Sequence, residues 1–283
     1  MKRIVILVLL VGLAGIAGVV VRSSSGTAVE LRGLVTHNNG ADVRQEIRES
    51  YELSPGARVE LTGLNGPVNI ETSDTKTAEV FIERTAPTQE ALGRRKVTVE
   101  ADASSLRIRG EKGDNAGFFS HFFGSSGSER VTLKLPRQIS LYGKGVNGQF
   151  VASDIDGPVE ISGINGKVKI ANSVGRALFK GINGNIVVGL KRVDQDGVTL
   201  SGINGNIELQ LGADVNADFE SHGMNGRVDS DLPNVAVDKT KRGAYTAKIG
   251  SGGSEIRAKG INGNIRLTRN AAVAGEAAAA AKE

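Results

Sequence analysis

A four-residue unit, Gly-apolar-Asn-Gly, occurs seven times in the chain and limits its possible folds more than any other feature. The copies begin at Gly63, Gly145, Gly163, Gly181, Gly202, Gly223 and Gly260. From the second copy onward the spacings are 18, 18, 21, 21 and 37 residues, and the last interval fits two repeats of which one is degenerate. A recurring interval of this length is typical of a solenoid, in which each repeat is one stacked unit.

Apolar and polar residues alternate on both sides of each unit. In one copy the apolar positions are Val159, Ile161, Ile164, Val168 and Ile170. This alternation predicts two short strands, each with one buried face. The Asn-Gly pair between them tolerates positive φ at both residues, so a sharp bend is expected there. Each repeat is therefore expected to form one coil, with the next coil stacked about 4.8 Å away by parallel pairing.

Stacking of equal coils places equivalent side chains in columns. The apolar residues of the units are expected to form an internal column of Ile164, Ile182, Ile203, Met224 and Ile261. The asparagines are expected to form a structural ladder of amides at one corner, made of Asn147, Asn165, Asn183, Asn204, Asn225 and Asn262. Amide oxygens can also bind calcium, but calcium-binding nonapeptide repeats carry an Asp in each repeat, and here no carboxylate recurs beside the Asn.

The pattern predicts an all-β protein, namely a single-stranded right-handed parallel β-helix with coils of 18 to 21 residues, preceded by an N-terminal hydrophobic helix. The handedness follows from the preference of parallel crossover connections. The composition agrees, because 38 glycines serve the corners, while aromatic residues make up only 4% of the chain. Ile, Val and Leu are thus expected to fill a thin core.

The chain is expected to divide into four parts. Residues 1–22 are a signal peptide or membrane anchor, 23–50 a linker, 51–268 the β-solenoid and 269–283 an Ala-rich tail. Within the solenoid, 51–142 are expected to hold irregular first coils and a cap, and 143–268 the regular repeats. Further strands are predicted at 78–83, 96–100, 105–109, 130–135 and 138–141.

Residues 4–21 are 18 uninterrupted apolar or glycine positions behind Lys2 and Arg3. As a helix this segment would be about 27 Å long, close to the ~30 Å hydrocarbon core of a bilayer. The basic end is expected to stay in the cytoplasm. An uncleaved anchor and a cleaved signal peptide are both open, since small residues for cleavage occur at 15–17 and 23–25. Either outcome predicts an extracytoplasmic protein in the periplasm or at the cell surface.

The charge balance and the absent residue types exclude several functions. The chain has no cysteine, which excludes disulfide scaffolds, Cys-ligated metals and cysteine nucleophiles. Its net charge is +4, of which Lys2, Arg3 and Arg22 supply three. The remainder is near neutral, so no attraction to nucleic acid or other polyanions is expected.

No catalytic, cofactor or metal site is expected. A β-helix that cleaves glycans needs carboxylates, or a base with cations, clustered on one outward face, and no outward column concentrates them. The pairs Asp154/Asp156, Asp194/Asp196 and Asp229/Asp231 are interpreted as turn residues. The three histidines, His37, His121 and His222, are interpreted as surface positions.

One interruption of the repeats is rich in phenylalanine. It holds Phe118, Phe119, Phe122 and Phe123, four of the eight phenylalanines in the chain. On a single helical turn this spacing would group the rings. The segment is expected either to cap the open end of the solenoid or to form an exposed apolar tip that contacts a partner or the membrane surface.

The repeated units resemble those of two bacterial putative-adhesin families, one named for its Gly-Ile-Asn head domain and the other a closely similar domain of unknown function. The segment 135–141, leading into Val146-Asn147-Gly148, is similar to the entry into the repeats of the second family. The resemblance covers roughly residues 50–268. It implies a right-handed β-helix at the bacterial cell envelope, and it implies no catalytic motif.

The expected function is therefore that of a non-enzymatic cell-envelope β-solenoid, an adhesin or structural surface protein that contacts an envelope protein or a glycan. The alternative is an envelope stress or signalling accessory that binds a membrane protein through the phenylalanine segment. A carbohydrate-active enzyme is the third reading. No cofactor and no nucleic acid partner are expected.

Overall fold

The computed structural model describes residues 35–39, 42–112 and 127–270. The N-terminal hydrophobic segment with its predicted helix, the phenylalanine cluster and the Ala-rich tail from residue 271 lie outside the described residues. Within the described ranges, no helix is both long enough and apolar enough to span a bilayer.

The described residues form strands almost throughout, with one short helix. The strands before the regular repeats are β1 Val35–Asn39, β2 Asp42–Glu52, β3 Ala57–Thr62, β4 Val68–Ser73, β5 Thr77–Ala86, β6 Arg95–Asp102, β7 Ser105–Lys112 and β8 Ser128–Pro136. The strands of the regular repeats are β9 Ile139–Lys144, β10 Phe150–Ile155, β11 Val159–Ser162, β12 Val168–Val174, β13 Ala177–Lys180, β14 Ile186–Arg192, β15 Val198–Asn204 and β16 Ile207–Leu211. The last strands are β17 Ala217–His222, β18 Val228–Ser230, β19 Val237–Lys241, β20 Ala244–Ile249, β21 Ser254–Asn262 and β22 Ile265–Arg269, and helix α1 is Gln89–Gly93.

The strands form two mixed sheets of eleven strands each. The first sheet has the order β1-β2-β5-β8-β4-β10-β12-β14-β16-β22-β18, and the second has the order β19-β20-β17-β21-β15-β13-β11-β9-β3-β7-β6. In the middle of the chain, successive strands alternate between the sheets and pair in parallel one repeat apart, so that Val159 faces Ala177 and Val168 faces Ile186. The all-β prediction is confirmed. The described residues do not, however, form a closed solenoid, because they make two sheets with antiparallel strands at their ends.

We call each pair of strands joined across the same corner a level. At the C-terminal end the levels do not follow chain order. The β21–β22 level lies between β15–β16 and β17–β18, pairing in parallel with both. The prediction that the 37-residue interval holds two stacked repeats is wrong. After β18 the chain instead forms the hairpin β19–β20 antiparallel to β17, and then returns to fill the slot between two earlier levels.

The N-terminal end shows the same displacement. The β3–β4 level lies between β7–β8 and β9–β10, although it precedes both in the chain. Strand β7 ends and strand β8 begins beside the corner at which the neighbouring β3–β4 level carries its Gly-apolar-Asn-Gly unit. Antiparallel strands then extend both sheets outward, with β5 and β2 beyond β8 and with β6 beyond β7.

The linker predicted at 23–50 is wrong for its C-terminal part. Residues 35–39 form β1, and most of β2 also lies in this stretch, paired antiparallel with β5 along its full length. Ile47 of β2 packs against the core. The polar composition of β2 concealed it, because a strand near the edge of a sheet exposes much of its surface and needs few apolar residues.

The core lies between the sheets and is built from the predicted alternation. The apolar residues of the corner units form one buried column, in the order Leu64, Val146, Ile164, Ile182, Ile203, Ile261 and Met224, each with at most 8% of its surface exposed. Phe150, Phe179 and Phe219 are the largest buried side chains. Gly143 makes room for Phe150, whose ring carbon would lie 2.9 Å from a Cβ at that position.

Candidate functional site

Each Gly-apolar-Asn-Gly unit forms the corner at which the chain passes from the second sheet to the first. The first glycine of every unit has φ between 60° and 67°, and the second has φ between 149° and 158°. The Asn of each unit does not adopt the positive φ that it could tolerate, since Asn234 is the one non-glycine residue with positive φ in the described part of the chain. Both left-handed positions of the corner are therefore glycines, and the Asn between them is free to use its side chain.

The two glycines of a corner are required for different reasons. A Cβ on Gly184 would lie 2.2 Å from the carbonyl oxygen of Gly166 in the neighbouring level, which backbone packing forbids. A Cβ on Gly181 would have no neighbour closer than 3.8 Å. The second glycine thus permits the close stacking of backbones, whereas the first provides the left-handed conformation.

The Asn side chains between these glycines form a continuous exposed ladder. Nδ2 of every Asn except Asn65 donates a hydrogen bond to Oδ1 of the Asn in the neighbouring level, at 2.9 to 3.2 Å. Nδ2 of Asn65 instead donates to the carbonyl oxygen of Gly127 at 3.0 Å. In space the ladder runs Asn65, Asn147, Asn165, Asn183, Asn204, Asn262 and Asn225. All six asparagines proposed from the sequence lie in it. Asn65 joins them because its unit stacks directly on the unit at Gly145, 82 residues away in the chain.

The ladder leaves part of every amide unused. An amide has two N–H donors and an oxygen with two lone pairs. One donor and one lone pair serve the ladder, so a second N–H and a second lone pair per interior level are available at the corner. Since the levels lie about 4.8 Å apart, these groups recur at that interval.

The residue directly before the first glycine of each corner unit, together with Arg109 of β7, which aligns with Thr62, forms an outward column beside the ladder. Adjacent members are paired in register across the strands, in the order Arg109, Thr62, Lys144, Ser162, Lys180, Ser201, Lys259 and His222. Cations and hydroxyls alternate along this column up to Lys259. Lys144, Lys180 and Lys259 are exposed and form no ion pair with any residue that the structure describes, and they recur every second level, about 9.6 Å apart.

The first outward position after each corner forms the matching column on the other side of the ladder. Its members are Pro67, Gln149, Lys167, Asn185, Asn206, Asn264 and Arg227. Its three asparagines make a second ladder, in which each Oδ1 accepts a hydrogen bond from the backbone N–H of the next level at 2.9 to 3.1 Å. We call the Asn65–Asn225 ladder together with the two columns that flank it the corner ridge.

A shallow groove of about 590 Å³ lies beside the C-terminal part of the corner ridge. Its lining includes Asn206, Asn264 and Glu208. Two ion pairs stand at its outer side, because Nε of Arg227 is 2.8 Å from a carboxylate oxygen of Asp229, and Nη2 of Arg266 is 2.6 Å from one of Asp231. The aspartates at 229 and 231 thus each bind an arginine rather than forming a carboxylate pair.

A buried carboxylate lies at the other end of the corner ridge, next to Asn65. Glu129 is 2% exposed; its Oε2 accepts from the backbone N–H of Asn65 at 2.7 Å, and its Oε1 accepts from Nε of Arg95, also at 2.7 Å. Arg95 in turn donates to the carbonyl oxygen of Gly63 at 2.7 Å. Glu129 therefore serves the Asn65 N–H, which in the following levels is bonded to a carbonyl oxygen of the adjacent level. Burial lowers the pKa of the nearby Arg84, and the charge of Glu129 opposes that shift.

The remaining residues considered from the sequence lie apart from one another. Asp194 accepts from the backbone N–H of Asp196 at 3.0 Å, as expected in a turn. The turn interpretation is wrong for Asp154, which lies in β10 and accepts from the amide of Asn172 in the paired strand β12 at 2.9 Å. His222 Nε2 lies 2.6 Å from a carboxylate oxygen of Glu220. His37 falls in β1, while His121 and the four phenylalanines are outside the described residues. Within the described ranges, no three His, Cys, Asp or Glu side chains gather in a way that could hold a metal ion.

Sequence comparison finds no matching protein-family model and no matching curated protein. Among solved structures, the chain is similar to a putative cell adhesion protein from Clostridium sporogenes, with 13% identity over 79% of this chain and 99% of the other, at a TM-score of 0.37. It is also similar to a putative adhesin from Bacteroides fragilis, with 12% identity over 78% and 96% of the two chains and a TM-score of 0.30. A putative lipid binding protein from Parabacteroides distasonis matches with 10% identity over 79% and 94%, at a TM-score of 0.28. Because every one of these TM-scores is below 0.5, no property is transferred from these proteins to this chain.

Proposed function

We propose that this chain is a non-enzymatic, extracytoplasmic adhesion or surface-scaffold protein of the Gly-Ile-Asn-Gly adhesin type. The observation that carries the proposal is the corner ridge, an unbroken exposed line of amides, hydroxyls and cations that crosses seven levels of the molecule. Stacked repeats suit extended binding surfaces, because each level adds a similar small contact to the next.

The rigidity of the corner ridge favours binding over catalysis. Its Asn side chains are fixed by the amide ladder, and its backbone by the close approach of the paired glycines. A ligand that lies along the ridge meets groups already held at a constant spacing, so little conformational entropy is lost on binding. Repetition of the same weak contact can then give a useful total affinity.

The architecture and the location are part of the same proposal. We interpret the alternation of the chain between the sheets as coils of a right-handed β-helix whose two end levels are displaced from chain order. Residues 4–21 supply the export signal or the membrane anchor. The protein would then present its levels outside the cytoplasm, tethered to the membrane or released from it.

The test combines location with adherence, using the full chain with a C-terminal tag in a bacterial host. In the first assay, protease is added to intact cells and to spheroplasts, and digestion of the tag is measured. In the second assay, adherence to coated surfaces is compared between cells that carry the chain and cells that lack it. Tag digestion in at least one preparation, with adherence that depends on the chain, supports the proposal. Protection of the tag in both preparations would overturn the extracytoplasmic location, and unchanged adherence by cells that expose the chain would overturn the adhesive role.

Proximity labelling in the same cells separates the alternative. The alternative, the accessory function, predicts that labelling recovers one membrane protein. That recovery should disappear in a variant in which four residues are replaced by Ser, namely Phe118, Phe119, Phe122 and Phe123, and this result would overturn the adhesive role. Labelling spread over glycans and surface components supports the adhesive role.

A further inference from the structure

The corner ridge differs in charge from the outward column next to it. That neighbouring column of the second sheet runs Arg107, Glu60, Tyr142, Glu160, Leu178, Thr199, Arg257 and Glu220, so acids and bases occur together in it. The corner ridge contains six cations, Arg109, Lys144, Lys167, Lys180, Arg227 and Lys259, and no carboxylate. The near-neutral total charge of the exported part conceals this separation, which arises only when the levels are stacked.

Avoidance of like-charge contacts does not explain the corner ridge. Lysines on adjacent levels would stand about 4.8 Å apart and repel each other, so some spacer is needed between them. A Glu in the spacer position would remove the repulsion and add an attraction. The chain instead places Thr62, Ser162 and Ser201 there, which keeps the lysines apart without neutralising them.

The lysines of the corner ridge are available to a ligand. Lys144, Lys167, Lys180 and Lys259 are all exposed, and within residues 35–39, 42–112 and 127–270 none of them forms an ion pair with a carboxylate. A row of unpaired cations with amides and hydroxyls between them concentrates positive potential along one line. Each interior amide of the ladder also has a free N–H donor, which favours a ligand with many hydrogen-bond acceptors.

We propose that the corner ridge binds a linear acidic glycan laid along the Asn ladder. This inference rests on the proposed adhesive function and gives it a ligand class. The carboxylate, sulfate or phosphate groups of the glycan pair with Lys144, Lys180 and Lys259, whose spacing of about 9.6 Å suits a polymer charged at widely separated residues. The amides of the ladder and the hydroxyls of Ser162 and Ser201 bind sugar hydroxyls between the charges.

Charge density and surface chemistry disfavour two other anionic partners. A nucleic acid strand carries one charge per ~3.4 Å, far denser than the lysines, and single strands are commonly held by stacking on aromatic rings. The corner ridge has no Phe, Tyr or Trp, and its one aromatic ring is the imidazole of His222 at its end. A membrane surface is bound by apolar side chains that enter the lipid together with a basic face, and the one apolar member of the ridge, Pro67, is half-buried.

The test measures binding of the full chain, purified in detergent, to hyaluronate, which carries one carboxylate per disaccharide, and to polygalacturonate, which carries one on every sugar. Neutral dextran, a poly(dT) oligonucleotide and anionic vesicles are the comparisons. The ridge variant is Lys144→Ser, Lys180→Ser and Lys259→Ser combined, which extends the existing hydroxyls of that column. The matched control, Lys191→Ser, Lys239→Ser and Lys248→Ser combined, removes the same charge from exposed lysines elsewhere on the molecule. A third variant changes the three ridge lysines to Arg, and circular dichroism verifies the fold of each protein.

We expect the wild-type and control proteins to bind at least one acidic glycan and not dextran. The ridge variant should bind at least tenfold more weakly, with a flatter dependence on salt concentration, and the Arg variant should retain binding. Equal weakening in the ridge and control variants would reduce the effect to general charge attraction and overturn the inference. Equally tight, ridge-dependent binding of poly(dT) or of vesicles would overturn the choice of a glycan.

The adherence assay distinguishes failure of this inference from failure of the proposed function. If cells with the ridge variant still adhere, and the wild-type protein binds no acidic glycan, the ligand assignment is wrong but the adhesive function stands. Absence of adherence with the wild-type chain exposed would remove the proposed function itself.

Discussion

Gly181 and Gly184 belong to the same corner, yet their substitution by Ala should have different consequences. Gly181 has φ of 62° with open space around it, so Ala there costs only the left-handed strain of about 1–2 kcal/mol. A Cβ on Gly184 would meet the carbonyl oxygen of Gly166 at 2.2 Å and force two levels apart. We expect Gly184→Ala to lower the free energy of unfolding by about 2 kcal/mol more than Gly181→Ala. Urea unfolding of both variants measures this, and equal losses would contradict the assigned roles.

Glu49 provides a prediction of pH dependence at the same scale. Burial raises the pKa of Glu49 above its ordinary value, and a hydrogen bond from the Tyr51 hydroxyl opposes part of that shift. The folded state therefore holds this proton more tightly than the unfolded state. Ionised Glu49 therefore destabilises the fold by its full amount at pH values above the raised pKa. This destabilisation decreases as the pH falls below the raised pKa and disappears below the ordinary pKa of a glutamate.

The isosteric variant Glu49→Gln should therefore be more stable than the wild type at pH 7, with a melting temperature higher by roughly 1–2 °C. The difference should vanish near pH 3.5, and thermal scans across this range measure it. Glu52→Gln, at the exposed end of the same strand, serves as the control for the loss of one carboxylate charge. A lower melting temperature for Glu49→Gln at pH 7 would show that the ionised carboxylate stabilises the fold.

Among the elements, the β3–β4 level depends on Glu129 for its outer corner. Glu129→Gln would leave Arg95 without its buried anion and weaken the acceptor for the Asn65 N–H. Because Arg95 is partly exposed, we expect a loss of about 2–3 kcal/mol rather than the larger cost of breaking a fully buried pair. Hydrogen exchange should show faster exchange at Asn65, with little change at Asn183 in the interior of the ladder.

Glu79→Gln gives the matched control, since Glu79 pairs with Lys134 at 3.1 Å where both side chains are about 60% exposed. A surface pair of this kind contributes roughly 0–1 kcal/mol. Equal losses of the free energy of unfolding in Glu79→Gln and Glu129→Gln would contradict the stabilising role assigned to the buried carboxylate.

The elements that the sequence predicts well are those with a repeated pattern. Every strand predicted between 78 and 141 overlaps an observed one, because alternation of buried and exposed positions reflects the sheet itself. The elements that were missed have no such pattern. Helix α1 has five residues, too few for a helical period, and its N-cap is Thr88, whose hydroxyl accepts from the Ala91 N–H at 3.0 Å. Glu129 occurs once, so no repeat indicates that it ends the ladder.

For the whole molecule, the sequence predicts which residues stack but not the order of the levels. Each unit offers the same glycines, the same Asn and a similar apolar residue, so any unit can pair with any other at nearly equal energy. The connections decide the order: the hairpin β19–β20 occupies the edge of β17 and leaves the slot beside β15 to β21. The intervals of 37 and 82 residues between consecutive units of the sequence do not indicate which levels become neighbours.

Cysteine pairs test the order of the levels directly, because the chain has no native cysteine. Ser201 lies opposite Lys259 on adjacent strands, whereas His222 is one strand further away, opposite Lys259 on its other side. A disulfide requires Cα atoms about 4.4–6.8 Å apart, which neighbouring strands satisfy and strands two positions apart, at roughly 9.6 Å, do not.

We therefore expect Ser201→Cys with Lys259→Cys to form a disulfide rapidly under mild oxidation. Ser201→Cys with His222→Cys should remain reduced in the folded protein, and mass spectrometry of non-reduced digests measures both yields. If the levels followed chain order, the unit at Gly223 would stack on the unit at Gly202, and the result would be reversed. A high yield for the second pair and none for the first would thus disprove the insertion of β21–β22, and with it the position of Lys259 as the third evenly spaced lysine of the corner ridge.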